Sequence, residues 1–399
     1  MGDDTWRRAG WAGAAIGVLA AGAAAGVAIE RLALGRSVRE KARLALDSEG
    51  PYGTLRGTPG RVFADDGTEL FYEVDEIDEV DEAEGVGGAT GLAGAGAGER
   101  RLFGGEPPAA LTVVFCHGYC LAADSWHFQR AALRGAVRAV YWDQRSHGRS
   151  GRGVAQTGPD AIPVSIDQLG RDLKAVLDAA APEGPLVLVG HSMGGMTVMA
   201  LADRFPELVR ERVVGVALVG TSAGQLDDVS YGLPPAGVKA VRRVLPGVLR
   251  ALGTRVELVE RGRRATTDLF AGLVKKYSFA TKDIDPAVAR FAERMIESTP
   301  IDVVAEFYPA FAEHEKTASL AAFRDLPVLA LAGDQDLVTP PSHTEAIARA
   351  LPDAELVVLP DAGHLVMLER PEEVTGRLAD LLVQAAETVR ARERKQHRT

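Results

Sequence analysis

One serine in this chain stands where a hydroxyl becomes a nucleophile. Gly190-His191-Ser192-Met193-Gly194-Gly195 follows the apolar run Pro185 to Val189 and precedes a helix-like stretch from Met196 to Phe205. Flanking glycines suit a sharp strand-to-helix turn with no room for side chains, in which the serine takes a strained backbone conformation and projects its Oγ outward. A second G-x-S-x-G match, Gly220-Thr221-Ser222-Ala223-Gly224, also follows an apolar run, Val213 to Val219. It leads into Gln225-Leu226-Asp227-Asp228 and then Pro234-Pro235, which start no helix, so Ser222 reads as a loop residue.

A serine hydroxyl is barely nucleophilic at neutral pH, so Ser192 needs a base and a group that orients the base. Val328 to Leu331 reads as a buried strand running into Gly333-Asp334-Gln335-Asp336, and Glu355 to Leu359 as another running into Pro360-Asp361-Ala362-Gly363-His364. Each places a polar group on a loop just past a strand. The resulting order, serine then acid then histidine, is one of the known chain orders of a catalytic triad. His127, His147, His314, His343 and His397 have no comparable context. His117 and His191 flank the candidate turns and read as hydrogen-bonded structural residues.

Four blocks in this order resemble the α/β-hydrolases of the serine esterase and lipase type: Cys116-His117-Gly118-Tyr119, Asp143-Gln144-Arg145-Ser146-His147-Gly148-Arg149-Ser150, Gly190 to Gly195, and Gly333 to Asp336 with Gly363-His364. They span roughly residues 60 to 385. The second block departs mildly, with Ser146 where glycine is common. The resemblance implies that Asp336, three residues after Gly333, is the triad acid rather than Asp334. It also implies an oxyanion hole formed by the backbone N–H groups of Tyr119 and Met193, with the Tyr119 ring either at the pocket mouth or in packing. The implied chemistry is attack of Ser192 on an acyl carbonyl, His364 taking its proton, Asp336 orienting His364, and water releasing the acyl-enzyme, with no cofactor and no metal. Because epoxide hydrolases and haloalkane dehalogenases of similar fold use an aspartate nucleophile, Ser192 argues against both. C–C bond hydrolases and cofactor-free haloperoxidase-like enzymes share these motifs and stay open, as does a non-catalytic binding protein on the same fold.

The elements that must hold these residues read as a doubly wound, mostly parallel sheet. Short apolar strands at Leu111–Phe115, Ala139–Trp142, Leu186–Val189 and Val213–Val219 alternate with helical segments such as Leu169–Ala180. A hairpin about Asp65-Asp66-Gly67 precedes them. The hydrolase core is expected over residues 56–222 and 326–388, with a helical cap inserted at 223–325 and a basic tail at 389–399. Cap helices are expected at Val238–Leu245, Thr266–Tyr277, Asp285–Ser298 and Ile301–His314, and Phe270, Phe291, Met295, Phe307, Tyr308 and Phe311 would give the cap an apolar inner surface suited to an apolar acyl group.

Residues 74–101 break the pattern with an acidic run and then a Gly/Ala-rich run, expected to be a flexible insertion. The insertion supplies much of the net charge of −10, and no basic patch points to nucleic acid. Within residues 1–45, the stretch 9–29 carries no charge and as a helix is about 30 Å long, so an N-terminal membrane-spanning anchor is expected. A cleaved export signal and a soluble extension are the competing readings. Arg31, Arg36, Arg39, Lys41 and Arg43 against Arg7 and Arg8 would put the catalytic domain in the cytoplasm. The two cysteines, Cys116 and Cys120, imply no disulfide framework.

Overall fold

The computed structural model describes residues 52–77, 111–157, 161–226, 229, 274–281 and 283–396. The stretch 9–29, most of the acidic insertion and two expected cap helices, Val238–Leu245 and the greater part of Thr266–Tyr277, lie outside the described residues. Among the described residues no helix is long and apolar enough to cross a membrane.

Eight strands form one sheet: β1 (Thr58–Phe63), β2 (Glu69–Asp75), β3 (Thr112–Cys116), β4 (Arg138–Trp142), β5 (Leu186–His191), β6 (Val213–Val219), β7 (Val328–Gly333) and β8 (Glu355–Leu359). Their order across the sheet is β1-β2-β4-β3-β5-β6-β7-β8. β1 and β2 are antiparallel to each other and β2 to β4, while every other pairing is parallel. The parallel strands read as continuous Val, Leu and Ala because both faces are covered. Side chains alternate between two cores: Val113, Phe115, Val187, Val189, Ala217 and Leu331 on one side, and Val114, Cys116, Leu188, Val216, Leu218 and Ala330 on the other. That alternation follows from the two-residue period of a strand.

Helices α1 (His127–Leu133), α2 (Ile166–Ala180), α3 (Met193–Arg204) and α4 (Pro206–Arg212) follow the early strands, α5 (Pro286–Ser298) and α6 (Ile301–Ala312) belong to the region between β6 and β7, and α7 (Pro341–Ala350), α8 (Val366–Glu369) and α9 (Pro371–Gln396) complete the chain. α2 begins where Ser165 accepts a hydrogen bond from the Gln168 N–H, and it buries Leu169, Leu173, Val176 and Leu177 as its 3.6-residue spacing dictates. α9 runs on through most of the residues expected as a basic tail. Arg392 near its end caps Glu211 and Val213 carbonyls.

Asp75 was expected at the start of the flexible acidic insertion. Instead it ends β2, pairs with Ala139 and is buried. Arg130 of α1 explains this: its guanidinium reaches Asp75 at 2.7 and 2.8 Å and Glu73 at 2.6 Å, so the strand can carry two buried carboxylates.

Arg145, in the loop after β4, is buried and reaches Asp172 of α2 at 2.5 and 2.7 Å and Asp66 of the β1–β2 turn at 2.8 Å. One guanidinium thus ties hairpin, loop and helix together. Arg145→Met leaves Asp172 buried without its partner, which typically costs about 3–5 kcal/mol. Urea unfolding is expected to show a loss of that size, and a loss under about 1 kcal/mol would contradict the assignment of this tie.

Candidate active site

Strand β5 ends at His191, and the chain turns into α3 through Ser192 at φ 52°, ψ −120°. A positive φ costs a non-glycine residue of order 1–3 kcal/mol, so the surroundings must impose it. They do so from both sides. The Ser192 N–H donates to the Val219 carbonyl at 2.9 Å, and the Ser192 carbonyl accepts from Thr221 Oγ1 at 2.7 Å. Gly190 and Gly194 let the turn close: a Cβ on Gly190 would lie 2.5 Å from the Gly194 carbonyl oxygen, and one on Gly194 only 2.1 Å from the carbonyl oxygen of Cys116 at the end of β3.

The loops after β7 and β8 meet this turn. His364 Nε2 lies 3.0 Å from Ser192 Oγ, and His364 Nδ1 lies 2.8 Å from Asp336 Oδ2. Asp336 Oδ1 accepts from the N–H groups of Val338 and Thr339 at 2.8 and 2.9 Å, and Oδ2 accepts from Thr339 Oγ1 at 3.0 Å. These bonds fix the carboxylate, and the carboxylate fixes the imidazole with its Nε2 lone pair toward the serine. Asp334 stays exposed and, among the described residues, accepts only a long bond from the Ala362 N–H, at 3.3 Å. The structure therefore gathers Ser192, His364 and Asp336 and leaves Asp334 outside.

Ser222 ends elsewhere. It is buried in the loop after β6, donates to the Gly224 carbonyl at 2.6 Å and lies 2.9 Å from His343 Nδ1. Its neighbour Thr221 supplies the bond to the Ser192 carbonyl, so the second G-x-S-x-G segment braces the turn formed by the first.

The Tyr119 and Met193 backbone N–H groups have no acceptor among the described residues, and both follow groups that hold their backbone in place. Met193 opens α3. Tyr119 follows His117-Gly118, and this loop is tied down by side chains. His117 donates from Nδ1 to the Gly118 carbonyl at 2.7 Å and accepts at Nε2 from the Gln144 N–H at 2.9 Å. Gln144 donates from its amide to the His117 carbonyl at 2.6 Å and accepts from Thr197 Oγ1 of α3 at 2.8 Å. Burial pushes His117 below the ordinary histidine range, in keeping with a neutral ring that donates once and accepts once. The Tyr119 ring is packed rather than open at a pocket mouth: its hydroxyl donates to the Val304 carbonyl of α6 at 2.6 Å.

His191 donates from Nε2 to the His364 carbonyl at 2.9 Å, and burial pushes its pKa well below the usual value. Its ring, 4.8 Å from that of His364, thus stays neutral and places no second positive charge beside the base. Glu369 of α8 holds the same loop, accepting from the N–H groups of Gly363 at 2.6 Å, Thr281 at 2.8 Å and Ala280 at 3.0 Å. Leu365 donates to the Ser278 carbonyl at 2.8 Å. Residues 278–281 therefore share their anchor with His364.

Of the side chains expected to make an apolar inner cap surface, Phe307 packs with Met193 and Met196 near the serine, and Phe311 joins them and Tyr119. Phe291 and Met295 do not. They are buried in the main core, where Phe291 meets Tyr52 and His127, because α5 presents its apolar face to the sheet side. Phe270 lies outside the described residues.

Gln144, Thr339 and Glu369 were not found by reading the sequence. Thr339 had a local signal, since an Asp followed three residues later by a hydroxyl is a turn-forming pattern. Glu369, a lone acid after the apolar run Leu365 to Leu368, was a weaker one. Gln144 had none, because its partners come from the loop after β3 and from α3.

Residues 112–371 match the model of the alpha/beta hydrolase fold family, more than half of the chain. The chain belongs to the α/β-hydrolase fold family. Among its curated relatives, an sn-1-specific diacylglycerol lipase from Mus musculus is 27% identical over 279 residues, covering 68% of this chain and 80% of that one. A Mycobacterium tuberculosis protein named as a non-heme bromoperoxidase is 29% identical over 273 residues, 66% of this chain and 90% of the relative. Among solved structures, a thermophilic esterase from Thermogutta terrifontis with malate bound superposes with a TM-score of 0.57 at 24% identity, covering 82% of this chain and 99% of that one. At that identity the likeness speaks for the fold.

Gln144→Leu removes the bonds to the His117 carbonyl and to Thr197 without touching Ser192, His364 or Asp336. If the loop sets the Tyr119 N–H, kcat on an ester falls about 10-fold to 100-fold, less than the loss of a whole donor, with KM nearly unchanged. An unchanged kcat would show that the loop holds without this network.

Proposed function

We propose that the protein is a serine hydrolase that cleaves carboxylic esters of apolar acyl groups, in the manner of a carboxylesterase or lipase. The observation that carries this reading is the continuous chain of contacts from Ser192 Oγ to His364 Nε2 at 3.0 Å and from His364 Nδ1 to Asp336 Oδ2 at 2.8 Å, on a turn that holds Ser192 at a positive φ. His364 accepts the proton as Ser192 Oγ attacks the acyl carbonyl carbon. The negative oxygen of the tetrahedral intermediate is stabilised by the Tyr119 and Met193 N–H groups, a pair of donors each worth about 3–4 kcal/mol when lost. His364 then protonates the departing alcohol. Water, deprotonated by the same histidine, attacks the acyl-enzyme and releases the acid and free Ser192. Asp336 keeps the imidazole oriented and stabilises its cationic form throughout.

The apolar acyl preference draws support from Phe307, Phe311 and Met196, which pack beside Met193. The lipase name of a similar curated protein agrees with this chemistry.

Hydrolysis of p-nitrophenyl esters from acetate to palmitate tests the reading. Turnover is expected with the intact protein and a loss of about 10⁴-fold or more with Ser192→Ala, whose melting temperature should stay near that of the parent. Parental activity in Ser192→Ala would overturn the proposal.

A further inference from the structure

The loop that carries the Tyr119 N–H turns back over four residues, and the Leu121 N–H closes the turn on the Gly118 carbonyl at 3.2 Å. The third residue of the turn is Cys120, at φ 58°. Turns with a positive φ at this position usually place glycine or asparagine there, because a Cβ is disfavoured in the left-handed region. The turn lies against the nucleophile: a Cβ on Gly118 would be 3.2 Å from the Ser192 Cβ. A strained residue beside a reacting centre persists only where its surroundings impose the strain.

His117 and Gln144 secure the loop from the core side, through bonds to the carbonyls of residues 117 and 118. The side-chain ties on the next two residues come from the region between β6 and β7. The Tyr119 hydroxyl donates to the Val304 carbonyl of α6 at 2.6 Å, and its ring meets Phe311 edge-on at 5.0 Å. The Cys120 thiol is buried within hydrogen-bond reach of Thr299, itself buried at the join of α5 and α6. Burial pushes that thiol up to about 12, so it stays protonated and pairs as a neutral group. Without these ties a cysteine here gains by returning to a negative φ, which rotates the Tyr119–Cys120 peptide and re-aims the Tyr119 N–H next to it.

We propose that the Tyr119 side chain and Thr299 are positioning groups of the oxyanion hole: through the Val304 carbonyl and the Cys120 thiol, residues 299–304 keep the turn 118–121 in the strained form that aims the Tyr119 N–H at the reacting carbonyl. The proposal rests on the serine-hydrolase reading and adds to it. The oxyanion hole is complete only while residues 299–304 are bonded to the loop.

Steady-state kinetics of the full-length protein on p-nitrophenyl butyrate test this with Tyr119→Phe, which loses only the hydroxyl, and Thr299→Val, which keeps the shape of the side chain. Each is expected to lower kcat about tenfold, a fraction of the loss of a whole donor, with KM within about twofold of the parent. Cys120 supplies the sharper comparison. Cys120→Ala removes the thiol but keeps a Cβ in the left-handed region, whereas glycine takes that conformation freely. Adding Cys120→Gly to Tyr119→Phe is expected to raise kcat at least about threefold above Tyr119→Phe alone, and adding Cys120→Ala to give no gain. A role in packing alone predicts the opposite order, since glycine deletes more buried atoms than alanine. An unchanged kcat in Tyr119→Phe or in Thr299→Val, or a glycine variant no faster than the alanine one, would overturn the proposal and leave the serine-hydrolase reading standing. If the parent turns over no ester, that reading has failed for esters, and the rate at which a fluorophosphonate bonds to Ser192 takes the place of kcat. The phosphonyl oxygen meets the same donors, so the same order of rates upholds the proposal, and equal rates in parent and variants overturn it. A parent that stays unlabelled overturns both.

Discussion

The backbone of Ser192 is the constraint on which the rest of the molecule depends. A serine at φ 52° persists only where neighbours over-determine it. Here they are the end of β6, which accepts its N–H, Thr221, which donates to its carbonyl, and the end of β3, against which Gly194 packs with no space for a side chain. Three parallel strands must therefore end at the same level. The sheet register does this, pairing Cys116 with Gly190 and His191 with Val219. The buried apolar alternation on both faces keeps that register, since a one-residue slip would exchange the two cores.

The same level of the sheet receives the other polar groups, as expected where ligands bind at the carboxyl ends of strands in an open α/β sheet. What distinguishes this site is how much of its support is made by buried groups of single purpose. His117, Gln144 and Thr197 join the loop carrying Tyr119 to α3, while His191 and Glu369 hold the backbone on either side of His364. The region between β6 and β7 is joined to these loops as well. Tyr119 ties its ring to α6, and Glu369 ties residues 280–281 to the loop of the base. That segment is therefore bonded to both the loop carrying Tyr119 and the loop carrying His364.

Much of this was legible in the sequence because it is written locally. The glycines about Ser192, the strand-then-loop pattern at Asp336 and His364, and the apolar strands lie within short windows. Their bounds differ from the structure by a few residues at most, as at β2, where a buried arginine from α1 lets Asp75 remain in the strand. Long-range partners were not legible. Nothing near Gln144 announces a bond to Thr197, and nothing in α5 says which of its faces meets the sheet, so Phe291 and Met295 read as inner cap surface when they pack in the main core. The family resemblance, and not spacing, singled out Tyr119 and Met193. The charge-free stretch 9–29 lies outside the described residues.

The reading of this site stands or falls on whether His364 activates Ser192 in the folded protein. A fluorophosphonate probe reads this directly, since it bonds covalently only to an activated serine, and peptide mass spectrometry locates the adduct. An adduct is expected on Ser192, none on Ser222, with the Ser192 adduct lost in His364→Ala. A folded protein that stays unlabelled, or one labelled at Ser222, would contradict it.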